Sequence, residues 1–219
     1  MIKVGIIGGA GYTAGELLRL LVNHPQVHIE FIQSKSHKGQ KISSVHHDLV
    51  GETDLSFDEN LSDSADVVFL CLGHGKSVDF LNNNSIPEQT KVIDLSQDFR
   101  LSKNANFQDR EFVYGLPELN KQKIAEASNI ANPGCFATCI QLGILPLAAL
   151  GLAQDDIHIN AITGSTGAGQ APSPTTHFSW RNNNVSVYKA FEHQHLFEIT
   201  ESFKSLQPEF DHSLNFIPV

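Results

Sequence analysis

The chain has 219 residues, of which 41% are apolar and 18% charged, with a formal net charge of −9 and a sequence pI near 5.6. That length buries a core in one or two domains without help from disulfides or metals. The acidic balance, with no cluster of Lys and Arg, argues against a nucleic-acid partner, because such binding runs on neutralised phosphates. Cys71, Cys135 and Cys139 cannot all pair, and no leader-like or bilayer-length apolar run is present, so the expected setting is a reduced cytoplasm without a membrane.

In chain order, the first predicted strand is Ile2 to Ile7, followed by glycines and then a helix from Glu16 to Val22 that stops near Pro25. A second strand runs from Val27 to Ile32. Next comes His46-His47, read as part of a polar loop. The short continuous apolar runs Val67 to Leu72 and Val92 to Leu95 fit parallel strands buried on both faces. Together these predict an α/β, doubly wound parallel sheet.

From Leu101 to Asp109 the sequence is polar and aperiodic, a surface excursion before a turn at Val113 to Glu118. A strand at Asn129 to Ala131 then hands over to a helix at Phe136 to Leu145. Beyond it, Ile157 to Thr163 alternates like a half-buried strand, Gly164 to Pro172 reads as a long Gly-rich loop, and a helix is expected from Leu196 to Phe203. The boundary is placed at Cys135, giving a nucleotide domain over 1–134 and a second domain over 135–219.

The segment Gly8-Gly9-Ala10-Gly11-Tyr12-Thr13-Ala14-Gly15 lies between a strand and a helix, the context a dinucleotide fingerprint requires. It fits two spacings, G-x-G-x-x-A from Gly9 and a wider G-x-x-G-x-x-A from Gly8. Glycines there permit the sharp turn and let the backbone approach a pyrophosphate resting on the helix N-terminus. The plainer reading is a βα turn with no ligand. After the second strand come Ser34-Lys35-Ser36, a cation flanked by hydroxyls that suits a ribose 2′-phosphate, while Glu30 falls too early to hold a 2′-hydroxyl. NADP is therefore favoured over NAD, against the alternative of an ordinary solvated loop.

Asn132-Pro133-Gly134-Cys135 places a thiol in the first turn of a helix, where unpaired N–H groups and the helix dipole favour thiolate. Cys135 is the candidate nucleophile; the bland alternative is a small buried apolar residue. Cys139, one turn on, is assigned to core packing and Cys71 to a structural place in its strand. Histidine suits proton transfer near neutrality, and His193-Gln194-His195 opens the late helix, where residues two apart cannot share a face, so at most one should point at Cys135. A metal is not expected, since no Cys or carboxylate set with zinc spacing accompanies the two histidines.

These motifs, with Asp94 to Leu101, Tyr114-Gly115-Leu116-Pro117-Glu118-Leu119, Ala131 to Thr138 and Gly164 to Gln170, resemble the N-acetyl-γ-glutamyl-phosphate reductase family over the whole chain. That family is NADPH-dependent, serves arginine biosynthesis and is related to aspartate-semialdehyde dehydrogenase. The resemblance implies a Rossmann-type nucleotide domain followed by an α+β substrate domain. It makes Cys135 the nucleophile and His193 the acid/base. NADP(H) is assigned to Gly8, Gly9, Ala10, Gly11, Tyr12, Thr13, Ala14, Ser34, Lys35, Ser36, Gly73 and Pro133. Substrate is assigned to Asn132, Ser165, Gly167, Gln170, Tyr188 and His195. The implied partners are a small acyl phosphate and further copies of the chain, with no nucleic acid or membrane. The stretch from Arg100 to Tyr114 is shorter than in many relatives, and relatives continue past Val219, so the substrate domain is expected to be cut short at its C-terminus. Aspartate-semialdehyde dehydrogenase and a non-catalytic nucleotide-binding module are the competing readings.

Overall fold

In the computed structural model, which describes residues 1–219, the β-branched run Ile2–Ile7 forms β1, a strand whose last four residues are buried. It lies within a seven-stranded sheet made with β2 (Val27–Gln33), β3 (Val67–Leu70), β4 (Lys91–Asp94), β5 (Asn106–Phe107), β6 (Arg110–Tyr114) and β7 (Asn129–Ala131). The order is β2-β1-β3-β4-β7-β6-β5, and every pairing is parallel except β5 with β6. The chain leaves β1 on one side for β2 and returns on the other for β3. The carboxyl ends of β1 and β3 therefore mark the switch point where doubly wound sheets open a ligand crevice.

The chain divides into two compact units, Met1–Asn132 and Pro133–Val219. In the first, α1 (Tyr12–Leu21), α2 (Lys76–Asn83) and α3 (Pro117–Glu126) cover the sheet's connections. Ala14 and Leu18 of α1 pack with Val4, Ile6, Ile29, Ile32 and Phe57. A second cluster joins Ile7, Val68, Leu70, Val92, Phe99 and Phe112. Burying a side chain of this kind contributes about 1.5–3 kcal/mol.

The second unit contains α4 (Cys135–Ala149), β8 (Ile157–Ala161), α5 (Phe178–Arg181), α6 (His195–Leu206) and β9 (Leu214–Pro218). Strands β8 and β9 pair in parallel as a two-stranded sheet. Phe136, Ala137 and Ile140 of α4, Ile199 of α6 and Phe216 of β9 form its core.

Several details differ from the sequence reading. Helix α1 starts at Tyr12 rather than Glu16, because extended Gly11 serves directly as its N-cap. Helix α2 was not anticipated, nor was α3, which opens with Pro117 and buries no residue, so it carries no apolar stripe for periodicity to detect. The polar excursion holds a 3-10 turn at Ser102–Asn104 and the short strand β5. The Gly-rich loop likewise holds a 3-10 turn at Ser165–Ala168. Cys139 is exposed, not core, since it lies off the buried stripe of α4. His46 is buried, not looped into solvent, because its flanking 3-10 turns are anchored by buried Ile42 and Leu49.

Candidate active site

Cys135 is the first residue of α4 and is exposed, whereas Pro133, Gly134 and Phe136 around it are buried. Gly134 caps the helix in an extended conformation with no side-chain cap. The first-turn amides and the positive helix end are therefore available at the turn that carries Cys135 to an anion that comes to it.

The turn is fixed from behind. The Gly134 N–H donates to Glu198 Oε2 at 3.1 Å, and Glu198 is only 4% exposed. His195 Nε2 lies 3.9 Å from Glu198 Oε1. A Cβ on Gly134 would stand 2.3 Å from that same His195 nitrogen, so only glycine lets the imidazole press against the turn. Glu198 was not anticipated, although its position three residues after His195 at a helix start was a readable signal.

His193 precedes α6 instead of lying in it, which is why the expected divergence of the two histidines does not occur. Their rings are 4.5 Å apart, and both pack on Phe136, at 5.6 Å for His193 and 6.3 Å for His195. The His195 backbone N–H donates to His193 Nδ1 at 3.2 Å. An accepting Nδ1 has no proton, so the neutral ring carries its hydrogen on Nε2. Burial, and then the charge of Lys189, push the His193 pKa below the ordinary imidazole value and favour this neutral form.

Tyr188 completes the group, its ring 5.9 Å from His193. Its phenol pKa is raised by burial first and by the charge of Cys135 second. The segment bends through two left-handed non-glycine residues, Lys189 at φ 44° and Phe191 at φ 63°. Such conformations cost on the order of 1–3 kcal/mol each and persist where surroundings impose them. Here the Tyr188 and Phe191 amides donate to Pro218 and Phe216 of β9.

At the other site, Gly8 has φ 80°, and a Cβ on it would lie 2.6 Å from the Cys71 carbonyl. The Gly9 N–H donates to Gln33 O, and the Gly11 N–H to Gly8 O. Ala10, Tyr12, Thr13 and Ala14 carry the turn into α1, whose N-terminus has no side-chain cap. Gly73 is exposed just beyond β3, at the crevice end of the sheet. The N-terminus of α2 is already served by Asp98, which accepts from the amides of Gly75, Ser77 and Val78.

After β2, Ser34 Oγ lies 3.4 Å from Ser36 Oγ, with Lys35 exposed between them. Neither nearby acid is placed for a ribose 2′-hydroxyl: Glu30 accepts from Ser64 and Ser62, and Asp58 accepts the Ile32 amide. The donor set thus fits a dinucleotide with a 2′-phosphate.

The Asn132 carbonyl accepts from Arg100 Nε at 2.8 Å, and the Asn132 N–H donates to Asp94 O. Ser165 is half-buried and Gly167 and Gln170 are exposed, all following β8. No group of three or more His, Cys, Asp or Glu is arranged to hold a metal. No helix is long and apolar enough to cross a membrane.

Residues 3–127 match the family model of the semialdehyde dehydrogenase NAD-binding domain, and residues 135–219 that of the semialdehyde dehydrogenase dimerisation domain. The N-acetyl-gamma-glutamyl-phosphate reductase of Flavobacterium johnsoniae is 59% identical over 218 residues, which is 100% of this chain and 67% of that protein. The chain belongs to this family of semialdehyde dehydrogenases. Reductases of the same name from Christiangramia forsetii and Parabacteroides distasonis are 56% and 57% identical, again over 100% of this chain and 67% of theirs. Among solved structures, a Candida albicans aspartate semialdehyde dehydrogenase with NADP matches at TM-score 0.67 and 15% identity, covering 100% of this chain and 68% of that chain. Aspartate semialdehyde dehydrogenase II of Vibrio cholerae matches at TM-score 0.66 and 15% identity, covering 100% and 70%. At that identity the likeness is one of fold.

Proposed function

We propose that this chain reduces an N-acyl-γ-glutamyl phosphate with NADPH to the N-acyl-glutamate 5-semialdehyde and phosphate, the reaction named by its relatives in Flavobacterium, Christiangramia and Parabacteroides and a step of arginine biosynthesis. The observation that carries the reading is an exposed Cys135 opening α4, with His193 packed on the adjoining Phe136 and Tyr188 packed on His193.

The Cys135 thiolate attacks the acyl carbon, the bond to the phosphate oxygen breaks, and its electron pair leaves with phosphate, giving a thioester on the enzyme. The Gly8 to Ala14 turn with Ser34, Lys35 and Ser36 would hold NADPH, which would supply the hydride that reduces the thioester. The reduced carbon then bears an oxyanion, to which neutral His193 donates a hydrogen bond from Nε2. When the carbonyl re-forms, the C–S bond breaks and the thiolate is regenerated. Overall the reaction consumes one proton, which the departing phosphate takes up, and His193, carrying its hydrogen on Nε2, is the acid/base proposed to handle it. Glu198 and His195 hold the turn on which the sulfur is mounted, and Tyr188 borders the acyl site.

The second unit matches a dimerisation domain, and the proposed assembly is with a second copy of the chain. A reducing cytoplasm suits a cysteine that must stay a free thiol, and that is the setting proposed.

The test is phosphate-dependent NADP reduction, run in parallel with N-acetyl-glutamate semialdehyde, N-succinyl-glutamate semialdehyde and aspartate semialdehyde. Turnover with an N-acyl-glutamate semialdehyde is expected. Turnover confined to aspartate semialdehyde assigns the chain to the other branch of the family and overturns the proposal.

A further inference from the structure

His46 stands far in sequence from the glycine turn yet is built into it. Its Nε2 lies 2.8 Å from the Gly9 carbonyl, and because a carbonyl can only accept, the imidazole is the donor. The side chain is 6% exposed. Its other nitrogen faces α1: a Cβ on Gly15 would stand 2.6 Å from His46 Nδ1, so the ring occupies the space that a glycine in the helix's first turns leaves open. Phe57, itself 2% exposed, flanks the ring at 6.3 Å.

From this geometry we infer that His46 is a positioning residue for the dinucleotide, setting the glycine turn in its phosphate-binding shape. Gly9 is held on both sides, its N–H donating to Gln33 O at 2.9 Å and its C=O accepting from His46. Glycines are the residues least able to hold a conformation by themselves, since they have the most backbone freedom to lose. A turn chosen for sharpness therefore needs an outside brace. His46 supplies one that reaches from a different segment and spans the turn and the helix that follows it. Pre-ordering of this kind appears in cofactor affinity, because the unbraced turn must be ordered when the pyrophosphate binds. It does not appear in the chemical step, since His46 touches no reacting atom.

This inference rests on the NADPH reading of the turn, and one experiment separates the two. NADPH affinity is measured by fluorescence titration for the parent chain and for His46→Leu and His46→Gln, with kcat taken at saturating NADPH. His46→Leu is expected to weaken NADPH binding roughly 10- to 100-fold with kcat at saturation within about twofold of the parent. His46→Gln, whose amide N–H can still reach Gly9 O, restores most of the affinity. If His46→Leu does not fold, His46→Asn replaces it, its amide being too short to span the gap. Binding by the donor-less variant as tight as the parent's, or a Gln variant as weak as it, overturns the role of His46 while leaving the cofactor reading intact. A parent chain that does not bind NADPH overturns both.

Discussion

The Glu198 carboxylate reaches across 64 positions of chain to accept the amide of Gly134, the residue next to Cys135. A carboxylate in that place suits the positive end of α4 while ordering the turn that carries Cys135. Truncation at Glu198→Ala leaves a buried N–H unpaired, so unfolding free energy should fall by about 1–3 kcal/mol. A loosened nucleophile should lower kcat by roughly 10- to 100-fold. Glu198→Gln, which keeps an accepting oxygen, should lie between the two. Urea unfolding together with single-turnover formation of the thioester measures both effects, and parent-like turnover in the Ala variant would refute the clamp.

Gly15 gives a prediction whose sign opposes the usual rule. Replacing glycine by alanine inside a helix ordinarily stabilises by about 1 kcal/mol. At Gly15 the new methyl would stand 2.6 Å from His46 Nδ1 and must displace the ring. Gly15→Ala is therefore expected to melt earlier than the parent, and the Gly15→Ala, His46→Ala double variant to recover stability relative to the single one. Thermal melts of the four proteins in that cycle test the coupling.

The three thiols should separate cleanly. Burial drives the Cys71 thiol up to about 12, with Asp94 adding to the shift, so it should resist alkylation. Cys135 and Cys139 are both exposed and should be open to iodoacetamide. Only Cys135→Ser is expected to abolish turnover, and it should still bind NADPH. Cys139→Ser should retain parent-like activity. Peptide mapping after labelling, with kcat of each variant, distinguishes the sites; turnover by Cys135→Ser would end the thioester mechanism.

His193 predicts an acid limb. Its folded-state pKa lies below the ordinary 6.5, through burial and then Lys189. The group's contribution to stability is therefore whole above about 6.5 and is lost as pH falls through the lower folded value, where the imidazole must take up a proton. Protonation at Nδ1 also removes the acceptor of the His195 amide. Stability should decline on acidification below about pH 6.5, and His193→Gln should flatten that slope. Urea midpoints across that range, parent against variant, supply the test.

Much of the first unit was legible because buried parallel strands write themselves as short continuous apolar runs, as at Val67–Leu70. The glycine turn was equally plain, since strand, glycines and helix are contiguous. Contacts between distant segments were not. His46 beside His47 looks polar, and nothing local announces that its acceptor is Gly9. Glu198 looked like one more charge at a helix start until the fold placed Gly134 against it. The pairing of the two histidine rings was missed for a further reason: periodicity assumes a helix, and the left-handed residues Lys189 and Phe191 turn the chain before α6 begins.

The parallel pairing of β8 with β9 has a consequence for biosynthesis. The strands of the nucleotide unit find neighbours as they emerge, with β2 and β3 each meeting β1 soon after they are made. By contrast, β8 stays without a neighbour until residues 162–213 have been translated. Phe216, which closes over both the Phe136 and His193 rings, arrives with the last of these segments. Parallel pairings across long connections form slowly, so a nascent chain can order its glycine turn before β8 finds β9. The ring cluster of Phe136, His193 and Phe216 is thereby assembled only after β9 has been made.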